Sequence, residues 1–382
     1  MDFSLSAEQK MIRQEIIRFA QKELNEGVRD RDRDHHFSRD LWKKCGEMGL
    51  TGLPVPAEAG GSGLDSLSTA MALEAFGYGC HDTGLVFSVC AHLLACVVPI
   101  WKHGSEEQKH RYLPGLCQGT QIAANAMSEP GSGSDVFSMS STAVRDGDGY
   151  RLNGVKTFCT NGPVADLLLF YAVTDKEKGY HGGITAFLVE TSAPGFHVGQ
   201  TFEKMGLRTS TIGEMVLEDV RVPAASVLGK EGAGAAQFVQ SMDWERICLF
   251  ASQVGVTERL VEKAIEYART RTQFGQTIGK FQAVSHRIAE MKIRLEAARL
   301  LTYRAAWNLE HSRSVSMDAS IAKVFVSESL VQTALDTIQT FGGNGFMVES
   351  EIERMLRDAI GSRIYSGTNE MQKNITARWL GL

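Results

Sequence analysis

The spacing of apolar residues changes twice along this 382-residue chain, and that double change limits the folds open to it. Up to about residue 120 the spacing is helical. Ser6-x-x-Gln9 has the form of a capping box, and Ile12, Ile16, Phe19 and Leu24 follow it on one helix face. Further apolar helical stretches run from Ser68 to Tyr78 and from Leu85 to Ile100, after a flexible Gly60-Gly61-Ser62-Gly63 loop. From about Gln121 the apolar residues come instead in short runs, as in strands. Tyr150, Leu152, Val155 and Thr157 flank the turn pair Asn153-Gly154. Leu167 to Thr174 and Ile184 to Glu190 lie either side of Gly182-Gly183, and Val220-Arg221-Val222-Pro223 closes the set. Past Gly229 to Gly234 the helical period returns in Ile288, Met291, Leu295, Ala298, Ala305 and Leu309. A doubly wound sheet needs helices between its strands, and here there are none. The predicted architecture is mostly α with a central β-barrel or sandwich: a helical domain over 1–120, a β domain over 121–230 and a helical bundle over 231–382.

Composition excludes several classes. The net charge of −5 offers no basic footprint for nucleic acid or an anionic membrane. The longest apolar run, near Leu93 to Trp101, contains Pro99 and reads as too short to span a bilayer. The start, Met1-Asp2-Phe3-Ser4, lacks the pattern of a signal peptide, so a cytoplasmic location is the expectation. The seven cysteines form no C-x-x-C pair, which predicts buried, reduced thiols and no metal site. His35-His36 sits among charges and reads as a solvated turn, and the alternating run Arg29 to Asp34 reads as a solvated segment.

Four stretches could contact flat or anionic ligands, though on composition alone the first reads as a polar turn loop and the second as a strand with a core Phe and a satisfied Thr. Ser128-Glu129-Pro130-Gly131-Ser132-Gly133-Ser134-Asp135 is rich in glycine and hydroxyl donors, yet is neither a Rossmann nor a Walker motif. In Asn153 to Gly162, an Asn-Gly at each end fits two turns around one strand, with Phe158 and Thr160 on one face. Arg269-Thr270-Arg271-Thr272-Gln273-Phe274-Gly275 offers paired arginine donors or simply a cationic helix end. Gln339-Thr340-Phe341-Gly342-Gly343-Asn344-Gly345 reads as a nucleotide-contacting loop or a helix C-cap.

Singly these stretches are weak; their joint order resembles the acyl-CoA dehydrogenase family along essentially the whole chain. Gly49 to Pro56, Lys204-Met205-Gly206-Leu207-Arg208, Arg354-x-x-Arg357-Asp358 and the tail Arg363 to Glu370 add to the resemblance. It implies that the C-terminal part is a four-helix bundle, that FAD is the cofactor and that the assembly is a homotetramer. It also implies that Met127, Ser128, Gly133, Ser134, Phe158 and Thr160 line the flavin, with Thr368 and Glu370 on its other side. Arg271 and Phe274 would hold the diphosphate end, and Gln339, Gly342 and Gly343 would reach the FAD of a neighbouring subunit.

The family reaction starts when a carboxylate removes the α-proton of an acyl thioester. Many members carry that glutamate where this chain has Ser366, and a neutral serine is no base for it. A sub-branch that includes isovaleryl-type enzymes places the glutamate on another helix, in the pattern acid-x-Glu-Arg. Asp243-Trp244-Glu245-Arg246 matches it, and the small Ser366 would leave Glu245 room. The neighbouring run Ile247 to Ala251 predicts a dry setting that raises the carboxyl pKa. Asp243, two positions away, falls on a different side of the helix.

Trp244-Glu245-Arg246, Phe76-Gly77-Tyr78-Gly79-Cys80 and His286 to Lys292 look most like the branch that oxidises aminoacyl, notably prolyl, groups tethered to a carrier protein. The alternatives are a branched or short acyl-CoA substrate, or a non-catalytic relative that binds flavin or nucleotide. The expected electron acceptor is an electron-transferring flavoprotein or oxygen.

Overall fold

The structure, a computed structural model, describes residues 5–312 and 314–382. The first layer is helical: α1 (Ala7–Glu23), α2 (Val28–Arg33), α3 (Arg39–Glu47), α4 (Ser66–Gly79), α5 (Thr83–His92), α6 (Val98–His103) and α7 (Glu106–Cys117). Ser6 and Gln9 close the expected capping box on α1. The segment Thr83–His103 is one continuous 21-residue helix, longer than the apolar run suggested, with a π-helical turn at Leu93–Val97. It is long and apolar enough to cross a membrane, but 89% of its most apolar stretch is buried inside the protein.

Seven strands follow: β1 (Ala123–Ala126), β2 (Thr142–Asp146), β3 (Gly149–Thr160), β4 (Leu167–Val173), β5 (Ile184–Glu190), β6 (Phe196–Thr201) and β7 (Ile212–Pro223). They form one mixed sheet in the order β1-β4-β2-β3-β7-β6, with β5 paired along β4. The run Leu167-Leu168-Leu169-Phe170-Tyr171-Ala172 of β4 is continuously apolar because both of its faces are covered. Leu168, Phe170 and Ala172 join Tyr150, Leu152, Phe187, Met215 and Leu217 in a core held by the sheet itself. Leu167, Leu169 and Tyr171 face the other way, into the core shared with the helices.

Asn153-Gly154 is not the expected turn. β3 runs straight through it, paired with β2 on one edge and β7 on the other. The turn chemistry is used differently: the Asn153 side chain clasps an extra residue in β7, donating to Asp219 Oδ1 (3.1 Å) and accepting from the Asp219 N–H (2.8 Å). Gly154 is needed for close approach, since a Cβ there would lie 2.1 Å from Ser141 Oγ. A second bulge falls on β3 itself, between Lys156 and Cys159. It holds Phe158 at φ 54° and turns its ring outward.

The last layer comprises α8 (Gly234–Trp244), α9 (Phe250–Thr270), the short hairpin β8 (Thr272–Gln273) and β9 (Gln276–Thr277), α10 (Gln282–His311), α11 (Ser316–Phe341), α12 (Gly343–Phe346), α13 (Ile352–Ile360) and α14 (Asn369–Trp379). Helix α9 crosses α4 with the backbones touching. A Cβ on Gly77 would meet the Ser252 carbonyl oxygen at 1.9 Å, and one on Gly255 the Glu74 carbonyl oxygen at 2.0 Å. The run Arg29 to Asp34 is only partly the solvated segment expected. Arg33 is exposed, but Arg31 pairs with Asp82 (3.0 Å) and the buried Asp32 with Arg357 (2.8 Å), because α2 turns these two inward.

Candidate active site

Glu245 opens a π-helical turn, Glu245–Leu249, that joins α8 to α9. A π turn carries one residue more than an α turn, so it resets which face the next side chains present. It packs against the other π turn, Leu93–Val97, which also carries β1: Asn125 Nδ2 donates to the Ala95 carbonyl at 3.1 Å. Glu245 is only 9% exposed, and its Oε1 accepts a hydrogen bond from the Ser366 hydroxyl. Burial raises its carboxyl pKa, and the Ser366 bond and the Arg246 charge oppose that rise. A carboxyl so placed accepts a proton from carbon more readily than an ordinary surface glutamate.

The tail segment that brings Ser366 here is held from three sides. Ser366 and Gly367 both take left-handed backbone, at φ 58° and 81°. The Ser366 carbonyl accepts from Arg246 Nε and from Gln372 Nε2, both at 3.2 Å, and Gln372 also donates to the Gly367 carbonyl at 3.0 Å. Thr368 caps α14 through its hydroxyl. Behind the loop, Lys323 donates to Asn369 Oδ1 at 2.7 Å, and Asn369 in turn donates to Glu328 at 2.7 Å. Burial, helped by the Arg246 charge, lowers the Lys323 pKa to about 7. Asp243 points away from Glu245: its Oδ2 accepts from Ser316 on α11 (2.8 Å) and its Oδ1 lies 3.6 Å from Arg246.

The residues expected to line a flavin lie on two segments that touch. The Ser128 carbonyl accepts the Thr157 N–H at 2.8 Å, which sets Met127 and Ser128 beside the bulge carrying Phe158 and Thr160. Beneath them Lys156, fully buried, bonds Glu129 Oε1 (2.9 Å) and the Met127 carbonyl (3.1 Å). Glu129 also accepts from the Ser140 and Ser141 N–H groups. This pair fastens the glycine-serine loop to β3. The cradle fits a large flat group. Phe158 is 64% exposed, the buried Ser132 Oγ has no partner, and a Cβ on Gly131 or Gly133 would meet nothing within 4 Å. Ser134 is exposed on the same loop, and Glu370 in the first turn of α14.

Arg271, Phe274, Gln339, Gly342 and Gly343 lie elsewhere, in exposed segments. Phe274 is 93% exposed at the tip of the β8–β9 hairpin. The two groups share one end of the bundle, because Tyr267 stacks on Phe341 (4.1 Å) and accepts from Asn344 Nδ2 (2.9 Å). Reading the sequence missed the parts played by Gln372, Lys323 and the Glu129–Lys156 pair. Only Arg246 carried a signal, through its place in the acid-x-Glu-Arg pattern. All seven cysteines are buried and free.

Family models of the acyl-CoA dehydrogenase N-terminal, middle and C-terminal domains match residues 6–120, 124–220 and 232–381. An L-prolyl-(peptidyl-carrier protein) dehydrogenase of Serratia sp. is 46% identical over 382 residues, 100% of this chain and 99% of the relative. The mitochondrial isovaleryl-CoA dehydrogenase of Pongo abelii is 38% identical, over 98% of this chain and 89% of the relative. A solved structure described as PigA with FAD and proline superposes with a TM-score of 0.98 at 45% identity, covering 100% of both chains. The prolyl acyl carrier protein oxidase AnaB gives 0.97 at 45% identity, covering 99% of this chain and 100% of that one. With its three domain models matched in order and its relatives aligned end to end, the chain belongs to the acyl-CoA dehydrogenase family.

Proposed function

We propose that this protein dehydrogenates a prolyl-type aminoacyl thioester tethered to a carrier protein, with FAD as cofactor and Glu245 as the base. The observation that carries the reading is the contact between the buried Glu245 and Ser366 of the tail motif. Relatives at 46% and 44% identity over the whole chain bear the prolyl-carrier name, which supports the substrate class.

FAD, when bound, supplies the acceptor for the β-hydride. Met127, Ser128, Gly133, Ser134, Phe158 and Thr160 would hold its flavin end, with Thr368 and Glu370 opposite. Arg271, Phe274, Gln339, Gly342 and Gly343 would serve one nucleotide end, that of a neighbouring subunit, since they share one end of the bundle. Glu245 takes the α-proton, and its burial keeps competing water away. The assembly is a homotetramer in this reading. In support, Ile293, Leu300 and Trp307 stand seven apart on α10, each more than half exposed, as one apolar stripe. An electron-transferring flavoprotein or oxygen takes the electrons, and the cytoplasm is the working compartment.

The base assignment is tested with Glu245→Gln. The variant is expected to keep bound FAD and to lose flavin reduction by substrate, by 100-fold or more in order of magnitude, in anaerobic stopped flow. Reduction at the wild-type rate would refute it.

A further inference from the structure

Ser366 does more than leave space. We propose that it is a positioning residue, whose hydroxyl holds one oxygen of Glu245 so that the other is presented to the substrate. The proposal rests on Glu245 being the base.

Three observations carry it. The Ser366 hydroxyl donates to Glu245 Oε1, and among the described residues Oε2 takes no protein hydrogen bond. A glutamate side chain on a helix has free rotors, so fixing one oxygen fixes the direction of the other. Second, Ser366 sits at φ 58°, where glycine carries no steric penalty and serine does. Were room for Glu245 the only need, glycine would serve it with less strain. Third, the strained residue is over-determined. Its carbonyl is held by Arg246, on the Glu245 turn itself, and by Gln372, so the hydroxyl cannot drift from the carboxylate. Arg246 in turn is held by Asp243, and Asp243 by Ser316 of α11.

The groups facing Glu245 from other elements leave Ser366 as its neutral donor. Cys90 and Cys96 approach from the Thr83–His103 helix, Tyr171 from β4 and Tyr365 from the tail. Burial in each case, with the Glu245 charge as a lesser cause, keeps their protons on. Arg246 is the only cation on its own turn, and Lys323 of α11 faces Arg246 from behind. A donor to the ionised carboxylate favours that form, so its removal raises the glutamate pKa further.

The test uses the FAD-loaded enzyme with Ser366→Ala and Ser366→Gly. The glycine variant relieves the left-handed backbone and so guards against a folding defect. Both are expected to retain FAD with an unchanged visible spectrum. The acid limb of the anaerobic flavin-reduction rate should move up by about one pH unit, making reduction about tenfold slower on that side. The infrared carbonyl stretch of protonated Glu245, identified by its loss in Glu245→Gln, should titrate with the same displacement. Unmoved rate and infrared profiles in both variants would overturn the positioning role and leave Glu245 as base. Wild-type reduction by Glu245→Gln would instead remove the reading on which the proposal stands.

Discussion

A serine hydroxyl takes no proton from carbon, yet Ser366 occupies the place where much of the family keeps its base. Its hydroxyl donates to Glu245 instead, and in the proposed reading that carboxylate is the base. The same economy governs the pair Glu129–Lys156. Both side chains are almost wholly buried, and each is satisfied by the other plus nearby backbone. Burial pushes the Glu129 carboxyl up, but Lys156 and the Ser140 and Ser141 donors outweigh it and bring it down to about 2. Its stabilising share is therefore complete above the ordinary value of 4.5 and is lost as pH falls through about 2. Glu129→Gln leaves the buried ammonium unpaired, at a cost of about 3–5 kcal/mol. Thermal unfolding of the FAD-loaded protein should show a clearly lower midpoint at pH 7, with the gap from wild type narrowing between pH 4.5 and 2. A constant gap across that window would contradict the assignment.

At the scale of elements, what the sequence made legible depended on whether the cause was local. The α1 cap needs only Ser6 and Gln9, and β4 announces its burial on both faces by six apolar residues in a row. The residues that the resemblance assigns to the flavin could be named only through the family pattern, although the glycine and hydroxyl side chains around them leave a local trace. The bulges at Phe158 and Asp219 left none, since a bulge exists only relative to a partner's register. The π turns at Leu93–Val97 and Glu245–Leu249 are hidden for a similar reason. Each packs on the other, a contact between distant segments that local spacing does not announce. The Gly77–Gly255 crossing was invisible because each glycine answers to a carbonyl on the other helix. Charge alternation likewise misled over Arg31 and Asp32, whose partners lie 51 and 325 positions away.

For the molecule as a whole, the two helical layers grip a sheet that carries its own core, and the proposed catalytic turn lies where α8, α9, the Thr83–His103 helix and the tail meet. The α10 stripe gives this account an external consequence. A Leu300→Glu, Trp307→Glu double variant should sediment as a species smaller than wild type and should hold FAD less tightly, because Gln339, Gly342 and Gly343 would lose their neighbour. An unchanged mass would place the subunit contact elsewhere. The proposed substrate is a prolyl thioester on a carrier protein, and flavin bleaching reads its turnover. The FAD-loaded protein is mixed under anaerobic conditions with the same prolyl thioester on a peptidyl carrier protein or on CoA, and the flavin absorbance is followed. The account predicts rapid bleaching by the carrier-bound thioester and slower bleaching by the CoA ester. Equal or faster bleaching by the CoA ester, or none by either, would contradict it.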